Sequence, residues 1–240
     1  MIDRHFRIET LAQTPNPQRL IWASAHQCVC EGAAIDDPWP AENKAGEYAI
    51  KHLLKGHRGH YSPLEAPQIS FNAIGFPHAV MQQATRHRVA VHFSVQSGRY
   101  TGERVILLAE GAADVEEVFY FRPAGSYTDR RGKRYEYTHS DRLEDLTLCE
   151  MAAKRYASKI YQGYSEEHAR DMLPFGIRQN WVMSFNMRSL MHFLTIRGKR
   201  DAQLEIQQLC QLMLPHFEAW APDVYGWFRE NLWLKGRLAP

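Results

Sequence analysis

The sequence lacks the familiar glycine-rich and nucleophile motifs that bind phosphate or support hydrolysis. It contains no P-loop, no GxGxxG dinucleotide loop, no serine nucleophile elbow and no HExxH zinc helix. Any bound phosphate must therefore be held by side-chain cations and nearby backbone groups rather than by a glycine-rich cradle.

Cysteine is also scarce. The 240 residues include four cysteines, too few and too scattered for a disulfide framework: Cys28, Cys30, Cys149 and Cys210. One residue separates the first two, and no second pair completes a zinc site. We therefore expect reduced thiols and no bound metal.

Long apolar runs are missing as well. No N-terminal stretch resembles a signal peptide, and no later stretch is long enough to span a bilayer. We therefore expect a cytoplasmic protein without a membrane partner. The formal net charge is only +2, so any anion must be bound by a local cluster of cations rather than by an overall field.

The composition is that of a globular protein. Hydrophobic residues make up 45% of the chain, and no repeat, low-complexity tract or linker divides it. We predict an α+β fold in one domain over residues 1–240, helix-rich in its second half, with a small mixed or antiparallel sheet. Predicted strands lie at 2–11, 67–75 and 118–121, and predicted helices at 18–30, 44–55, 77–85, 141–162 and 181–196, with further helices after Asp201 and Pro222.

Local signals predict how several of these segments begin. Ser140 and Ser165 are predicted N-caps, because a serine hydroxyl can accept a bond from a free backbone N–H in the first turn. Pro63 disfavours helical geometry at Ser62. Residues 101–117 give no clear signal.

The basic run at 130–134 predicts an exposed loop or hairpin tip. A solvated turn is the plainer interpretation, and a site for a polyanion or nucleic acid is the alternative. A nucleic-acid-binding module would use this run together with residues 86–88. The near-neutral net charge and the lack of a known nucleic-acid-binding motif argue against that class.

The predicted helix 181–196 carries three polar residues among apolar ones. At 100° per residue Arg188 and His192 share a face, whereas Asn186 lies about 200° from Arg188. One pocket cannot easily use both faces. Either one polar group is exposed, as on an ordinary half-buried helix, or the helix lies between two pockets, for example at a subunit interface.

Polar and cationic groups concentrate in residues 83–100, around a short apolar run. Arg86, His87 and Arg88 follow the predicted helix 77–85, where cations complement the helix dipole. On an extended chain Arg86 and Arg88 would share one side and His87 would take the other, so the segment could serve two ligands.

Several blocks of the sequence resemble the flavin-dependent thymidylate synthases. Arg86-His87-Arg88 followed by Ser97-Gly98-Arg99-Tyr100 is similar to that family's signature. Matching blocks occur in the family's order at residues 60–65, 169–174, 186–197 and 202–207. The agreement over roughly 60 to 210 is much more specific than the signature alone.

The resemblance implies a reaction, its cofactors and an assembly. We expect reductive methylation of dUMP to dTMP, with methylenetetrahydrofolate as the one-carbon donor and NADPH as the reductant of bound FAD. No cysteine is expected to attack the pyrimidine. The family is tetrameric, with active sites at subunit interfaces, so we expect a homotetramer.

The resemblance also assigns roles to individual residues. Arg197 is expected to contact the uracil ring and to stabilise negative charge on it. The residues expected to bind FAD are Ser62, Arg86, His87, Arg88, Asn186, Arg188 and His192. The residues expected to bind dUMP are Gln83, Arg86, Gln96, Ser97, Gly98, Arg99, Arg170 and Arg197.

The sequence departs from the family pattern in one loop. Eight residues separate Arg88 from Ser97 where seven are commoner, and Val95 lies where many members have glutamate. These differences leave the roles of Val95 and Gln96 open. A flavin reductase without methyl transfer remains an alternative function.

Overall fold

The computed structural model describes residues 2–56, 59–129 and 131–235. Four strands form one antiparallel sheet, which confirms the predicted α+β class with a small sheet, and two further strands form a hairpin. The strands are β1 Arg7–Gln13, β2 Gln68–Pro77, β3 Val91–Val95, β4 Gly125–Thr128, β5 Arg134–Tyr137 and β6 Arg178–Asn186. The order across the sheet is β1-β2-β6-β3.

Helices account for most of the second half, as predicted. None of them within the described ranges is long and apolar enough to cross a membrane. They are α1 Pro17–Gln27, α2 Glu42–Ala49, α3 His78–Ala84, α4 Glu103–Ala109, α5 Val115–Val118, α6 His139–Tyr161, α7 Glu166–Ala169, α8 Met187–Arg197, α9 Leu204–Trp220 and α10 Pro222–Asn231. Shorter turns lie at Ile50–Leu54, Ser62–Glu65 and Arg170–Met172.

Strand β6 is a central strand of the sheet. It pairs with β2 on one side and β3 on the other, so its backbone groups are satisfied in both directions. Its apolar side chains Trp181, Met183 and Phe185 are each at most 2% exposed. They alternate with the half-buried Val182 and Ser184, as expected for a strand with one face in the core.

Helix α9 covers the sheet and closes the core. One side of the helix is an apolar stripe that is fully buried, formed by Ile206, Leu209, Cys210, Met213 and Phe217. Two polar contacts attach the helix to the first strand. Its His216 ring lies 2.9 Å from the Thr10 hydroxyl, and the Trp220 indole N–H donates to the Thr14 carbonyl at 2.9 Å.

The predicted helix 181–196 is wrong over its first half. Residues up to Asn186 form β6, and the helix begins at Met187. The large apolar residues at 181, 183 and 185 alternate with a period of two, which is typical of a strand. A short apolar run of this kind also fits a helix, but hydrogen bonding to β2 and β3 makes this segment a strand. Asn186 is the N-cap of α8, because its side-chain oxygen accepts from Ser189 N at 2.8 Å. Asn186 therefore precedes the helix, and the angle of about 200° expected between Asn186 and Arg188 around a helix axis does not apply.

Smaller expectations also need correction. The predicted strand 118–121 is wrong, because Val118 ends α5 and Phe119 forms only an isolated bridge to Ile177. Helix α6 is capped by Thr138 rather than Ser140, in a reciprocal capping box with Asp141. Ser62 opens a 3-10 turn although Pro63 follows it. Helix α9 begins after Gln203 rather than directly after Asp201. Ser165 caps α7 as predicted.

The basic run lies at the tip of the β4–β5 hairpin, as predicted. Asp129 accepts backbone N–H bonds from Arg131 at 2.8 Å and from Lys133 at 2.9 Å, which closes the tip. Arg130 lies outside the described residues. This geometry favours the interpretation of the basic run as a hairpin turn.

We expect Phe185→Ala to lower the free energy of unfolding by about 3–5 kcal/mol, because it empties a fully buried site among aromatic rings. Phe185 lies 5.2 Å from Phe193 and 6.3 Å from Phe71, centroid to centroid. Urea denaturation measures the change. The matched control is Leu148→Ala on exposed surface, and an equal loss in both variants would contradict this account of the core.

Candidate functional site

One cavity of about 670 Å³ lies where β6 passes into α8. We name it the arginine cavity. Three segments build it: the 3-10 turn before β2, the loop between α3 and β3, and one side of α8 along its full length. Its lining residues are Glu65, Arg86, His87, Arg88, Val89, Ala90, Val91, Asn186, Arg188, Ser189, His192, Ile196 and Arg197.

Helix α8 presents one face to the arginine cavity. Arg188, His192 and Ile196 recur every four residues, which aligns them along the helix. Asn186 joins them from the N-cap position and is 3% exposed. One cavity thus receives both Asn186 and Arg188, so the expectation that one pocket cannot easily use both residues is wrong.

The guanidinium of Arg197 is held from two sides. Its Nε donates to His87 Nε2 at 2.9 Å, and its Nη2 donates to the Gln83 carbonyl at 3.1 Å. Because His87 Nε2 accepts, the neutral imidazole carries its proton on Nδ1. The ring of His87 also lies edge-on to Phe193, at 4.9 Å between centroids. These contacts give Arg197 a fixed orientation in the cavity.

The imidazoles in this cavity are neutral near pH 7. Burial, followed by the charge of Arg197 and the proximity of His192, lowers the pKa of His87 from 6.5 to about 4. Burial and the charge of Arg188 lower the pKa of His192. Burial also lowers the pKa of Arg197, but a guanidinium remains protonated in proteins. The positive charge of the cavity is therefore carried by its arginines.

The cavity holds more positive than negative charge. Four arginines line it, and the one carboxylate that the described residues contribute is Glu65, which accepts from Arg188 Nη1 at 2.6 Å. The guanidinium of Arg188 also lies over the Tyr61 ring, 5.7 Å from its centroid. Planar guanidinium forks match the oxygen geometry of phosphate. The residues present therefore suit an anionic ligand of diphosphate type.

A second cavity, of about 820 Å³, lies at the other end of β3. We name it the Ser97 cavity. It combines hydroxyl, amide and cationic groups with an apolar wall from the segment after α7. Its lining residues are His78, Val95, Gln96, Ser97, Gly98, Arg170, Asp171, Leu173, Pro174, Phe175, Ile177 and Gln179.

Gln96 holds the loop of the Ser97 cavity to the sheet. Its backbone N–H donates to Asn180 O at 2.9 Å, and its side-chain oxygen accepts from Asn180 N at 3.2 Å. The following turn is closed by Thr101, whose hydroxyl donates to Ser97 O at 2.9 Å. Gly98 lies next to Arg170, since an added Cβ would come to ordinary contact distance of Arg170 Cδ, at 3.4 Å.

Three predicted site residues line neither cavity. Ser62 opens the 3-10 turn that supplies Glu65. Gln83 lies behind Arg197, which its backbone carbonyl binds. Arg99 pairs with Glu167, at 2.8 Å between Nη1 and Oε1.

Other lining residues were not assigned from the sequence. Glu65 lies inside a block that resembles the family but received no role. Phe175 and His78 give no sequence signal, since their edge contact of 5.4 Å joins distant segments. Only the fold brings them to the Ser97 cavity.

Strand β3 separates the two cavities. Val91 at its first position lines the arginine cavity, and Val95 at its last lines the Ser97 cavity. Four steps of an extended strand span about 13 Å. The residues predicted to bind dUMP are thereby divided within one chain. Arg86 and Arg197 lie at one end, whereas Gln96, Ser97, Gly98 and Arg170 lie at the other.

The fold is α+β, and arginines in the lining of both cavities suit them to anionic ligands. A family profile described as thymidylate synthase complementing protein matches residues 9–223. The flavin-dependent thymidylate synthase of Halobacterium salinarum is 31% identical over 98% of this chain and 100% of its own length. That of Haloarcula marismortui is 32% identical over 97% of this chain and 99% of its own. The chain belongs to the family of flavin-dependent thymidylate synthases.

Solved structures share the fold at lower identity. The UMP/dUMP methylase PolB of Streptomyces cacaoi, solved with 5-Br dUMP, aligns with a TM-score of 0.71 at 20% identity, over 100% of this chain and 98% of its own. Thymidylate synthase X of Helicobacter pylori, solved with FAD and dUMP, aligns with a TM-score of 0.66 at 20% identity, over 96% of this chain and 99% of its own.

We expect the imidazole of His87 to titrate with a midpoint of about 4 in two-dimensional ¹H–¹⁵N NMR spectra. Because this folded-state pKa lies below the unfolded value of 6.5, the unfolded chain takes up the proton first. His87 therefore lowers the free energy of unfolding as pH falls from 6.5 to 4. Arg197→Met should raise the midpoint, whereas Arg200→Met, on exposed surface, should not. A wild-type midpoint near 6.5 contradicts the geometry.

Proposed function

We propose that this protein is a flavin-dependent thymidylate synthase that methylates dUMP reductively to dTMP, with methylenetetrahydrofolate as one-carbon donor and NADPH as reductant. One observation carries the proposal. Seven residues that the family resemblance assigned to FAD and uracil line one cavity: Arg86, His87, Arg88, Asn186, Arg188, His192 and Arg197. They come from two segments about 100 residues apart in the sequence, so a sequence pattern alone does not require this convergence.

The arginine cavity fits FAD chemically. Its guanidiniums can hold a diphosphate. The side-chain oxygen of Asn186 is occupied by Ser189 N, which leaves its amide N–H groups as donors for a flavin carbonyl, and His192 can donate as well. When bound, FAD supplies the reducing equivalents taken from NADPH.

The Ser97 cavity fits the phosphate end of dUMP. Arg170 supplies charge, the Ser97 hydroxyl can donate, and Gly98 leaves the backbone accessible. Arg99 adjoins this loop and is oriented by Glu167. These groups are hydrogen-bond donors suited to an anion.

Arg197 is placed to stabilise negative charge on the uracil ring. Two contacts fix its orientation, and its Nη1 has no partner among the described residues. A fixed cation in a partly dry cavity stabilises a developing anion without reorganising during the reaction. Its guanidinium would lower the barrier to nucleophilic reaction of the ring in this way.

The cysteines do not suit nucleophilic attack. Burial, with a contribution from Asp145, raises the pKa of Cys149 to about 12, and burial raises the pKa of Cys210. Cys28 and Cys30 line neither cavity. This supports a reaction in which no thiolate adds to the pyrimidine.

We also propose that the chain forms a single domain over residues 1–240 and assembles as a homotetramer whose active sites combine cavities from different copies. Within one chain β3 separates the two sets of residues that the resemblance assigns to dUMP. Exposed apolar side chains lie beside both cavities: Val89 at 85% exposure, Tyr100 at 79% and Phe175 at 61%. Such side chains favour association with another surface.

The function is tested by release of tritium from C5-labelled dUMP in the presence of folate and NADPH. The FAD-loaded wild-type protein should be yellow and should release tritium. A folded, FAD-loaded protein that releases none contradicts the synthase proposal and favours a flavin reductase. Failure to bind added FAD contradicts both.

We expect Arg197→Ala to abolish tritium release, by at least about a hundredfold for loss of one preorganised electrostatic contact. Absorbance of bound flavin should remain, because three other arginines line the cavity. The control is Arg200→Met, an arginine just beyond α8 that lines a different cavity. Turnover retained in Arg197→Ala would show that its assigned role is wrong.

A further inference from the structure

The last turn of α1 and the loop that follows it bring together three side chains of the kinds that bind transition metals. They are His26 on the helix, and Cys30 and Asp37 in the loop. One ligand atom from each lies within 4.8 Å of one ligand atom from each of the others. Among the residues that the structure describes, no other three histidine, cysteine, aspartate or glutamate side chains converge in this way. We name these three residues the His26 cluster.

Gln27 fixes the loop on which Cys30 lies. Its side-chain oxygen accepts from Ala34 N at 2.9 Å, and its Nε2 donates to the Gly32 carbonyl at 3.1 Å. The same Nε2 lies 3.6 Å from Cys30 Sγ and donates to the sulfur. Contacts of this outer kind orient the ligands of protein metal sites. The sulfur of Cys30 therefore has a defined position before any ion binds.

The imidazole of His26 is held by a tryptophan and a carboxylate. Its ring stacks on Trp22, with 4.6 Å between centroids and 16° between planes. His26 Nε2 donates to Asp37 Oδ2 at 2.5 Å. The neighbouring Trp39, 6.3 Å from Trp22, ties the loop down by donating its indole N–H to the Ala34 carbonyl at 3.0 Å. The cluster is thus built on a supported helix end.

The mixed set of donors selects the metal. A thiolate, an imidazole and a carboxylate are ligands of Zn²⁺, whereas Mg²⁺ and Ca²⁺ prefer oxygen alone. Tetrahedral ligands at ordinary zinc distances lie about 3.5 Å apart, so His26 and Asp37 would separate by about 1 Å to admit the ion. From cysteine spacing alone we expected no bound metal. Here an imidazole and a carboxylate take the place of the missing second cysteine pair.

We propose that His26, Cys30 and Asp37 bind one Zn²⁺ ion, with water as the fourth ligand. The ion would join the end of α1 to the loop that leads to α2. Because it binds the folded arrangement, it would stabilise the folded chain by mass action. The inference is independent of the proposed function, since none of the three residues lines the arginine cavity or the Ser97 cavity.

The test titrates the full-length, untagged protein with Co²⁺, a spectroscopic substitute for Zn²⁺. The protein is first stripped of metal by a chelator and kept reduced by a phosphine. We expect one Co²⁺ per chain, with the intense visible absorption of a tetrahedral ion and a thiolate-to-cobalt charge-transfer band. Zn²⁺ should displace the Co²⁺, because it binds such sites more tightly. Zn²⁺ should also raise the melting temperature.

Two pairs of neighbouring variants locate the ligands. Cys30→Ser and Asp37→Asn should each weaken Zn²⁺ binding by at least about a hundredfold, since loss of even an outer partner costs tenfold to a hundredfold. Cys30→Ser should also lose the charge-transfer band. The matched controls are Cys28→Ser and Asp36→Asn, which change the same residue types outside the cluster. Both should bind Zn²⁺ as the wild type does.

Tryptophan fluorescence reports on the imidazole. Because Trp22 stacks on His26, Zn²⁺ should change the emission of the wild type. The change should be absent in Trp22→Phe, which should still give the tetrahedral Co²⁺ spectrum. His26→Gln should lose both the spectrum and the change in emission.

Several outcomes would overturn the inference. Wild-type protein without a tetrahedral Co²⁺ spectrum would show that the cluster is an ion pair beside a free thiol. Zn²⁺ binding that survives in Cys30→Ser, or is lost equally in Cys28→Ser, would refute the three-residue site. Several weakly held ions per chain, unaffected by any variant, would be adventitious binding only. Circular dichroism identifies a variant that fails to fold, and the other ligand variant then decides.

Discussion

The antiparallel pairing of β3 with β6 is the constraint on which the rest of the site depends. It aligns Val91 with Phe185 and Val95 with Trp181, so both ends of this five-residue strand are fixed against the central strand. The arginine cavity forms at one end and the Ser97 cavity at the other. A nucleotide that used both within one chain would have to cross the exposed sheet edge. The pairing therefore favours an active site assembled from more than one copy.

The same pairing supports the electrostatics of the arginine cavity. Strand β6 ends one residue beyond Phe185, at Asn186, whose side chain starts α8 and aligns Arg188 and His192 with the cavity. Burial then keeps His87 and His192 neutral, so His87 can accept from Arg197 instead of repelling it. The arginines thus retain their charge for the ligand. Charge placement here follows from where a strand ends and a helix begins.

Much of the site was predictable from the sequence, because signature residues keep their order and chemistry. Most of the assigned residues line one of the two cavities, although Ser62, Gln83 and Arg99 do not. The boundary at Asn186 was missed, because a short apolar run fits both a helix and a strand until its pairing partners are known. Residues whose roles depend on distant contacts, such as His78 and Phe175, carry no local signal.

Subunit complementation tests the central claim of a composite site most directly. Arg197→Ala disables the arginine cavity and Arg170→Ala disables the Ser97 cavity, so each variant alone should be inactive. If each site combines cavities from two copies, random co-assembly of the two variants restores about a quarter of the sites. Tritium release should then reappear in co-expressed protein. Co-assembled protein that remains as inactive as its parents would contradict a site shared between copies.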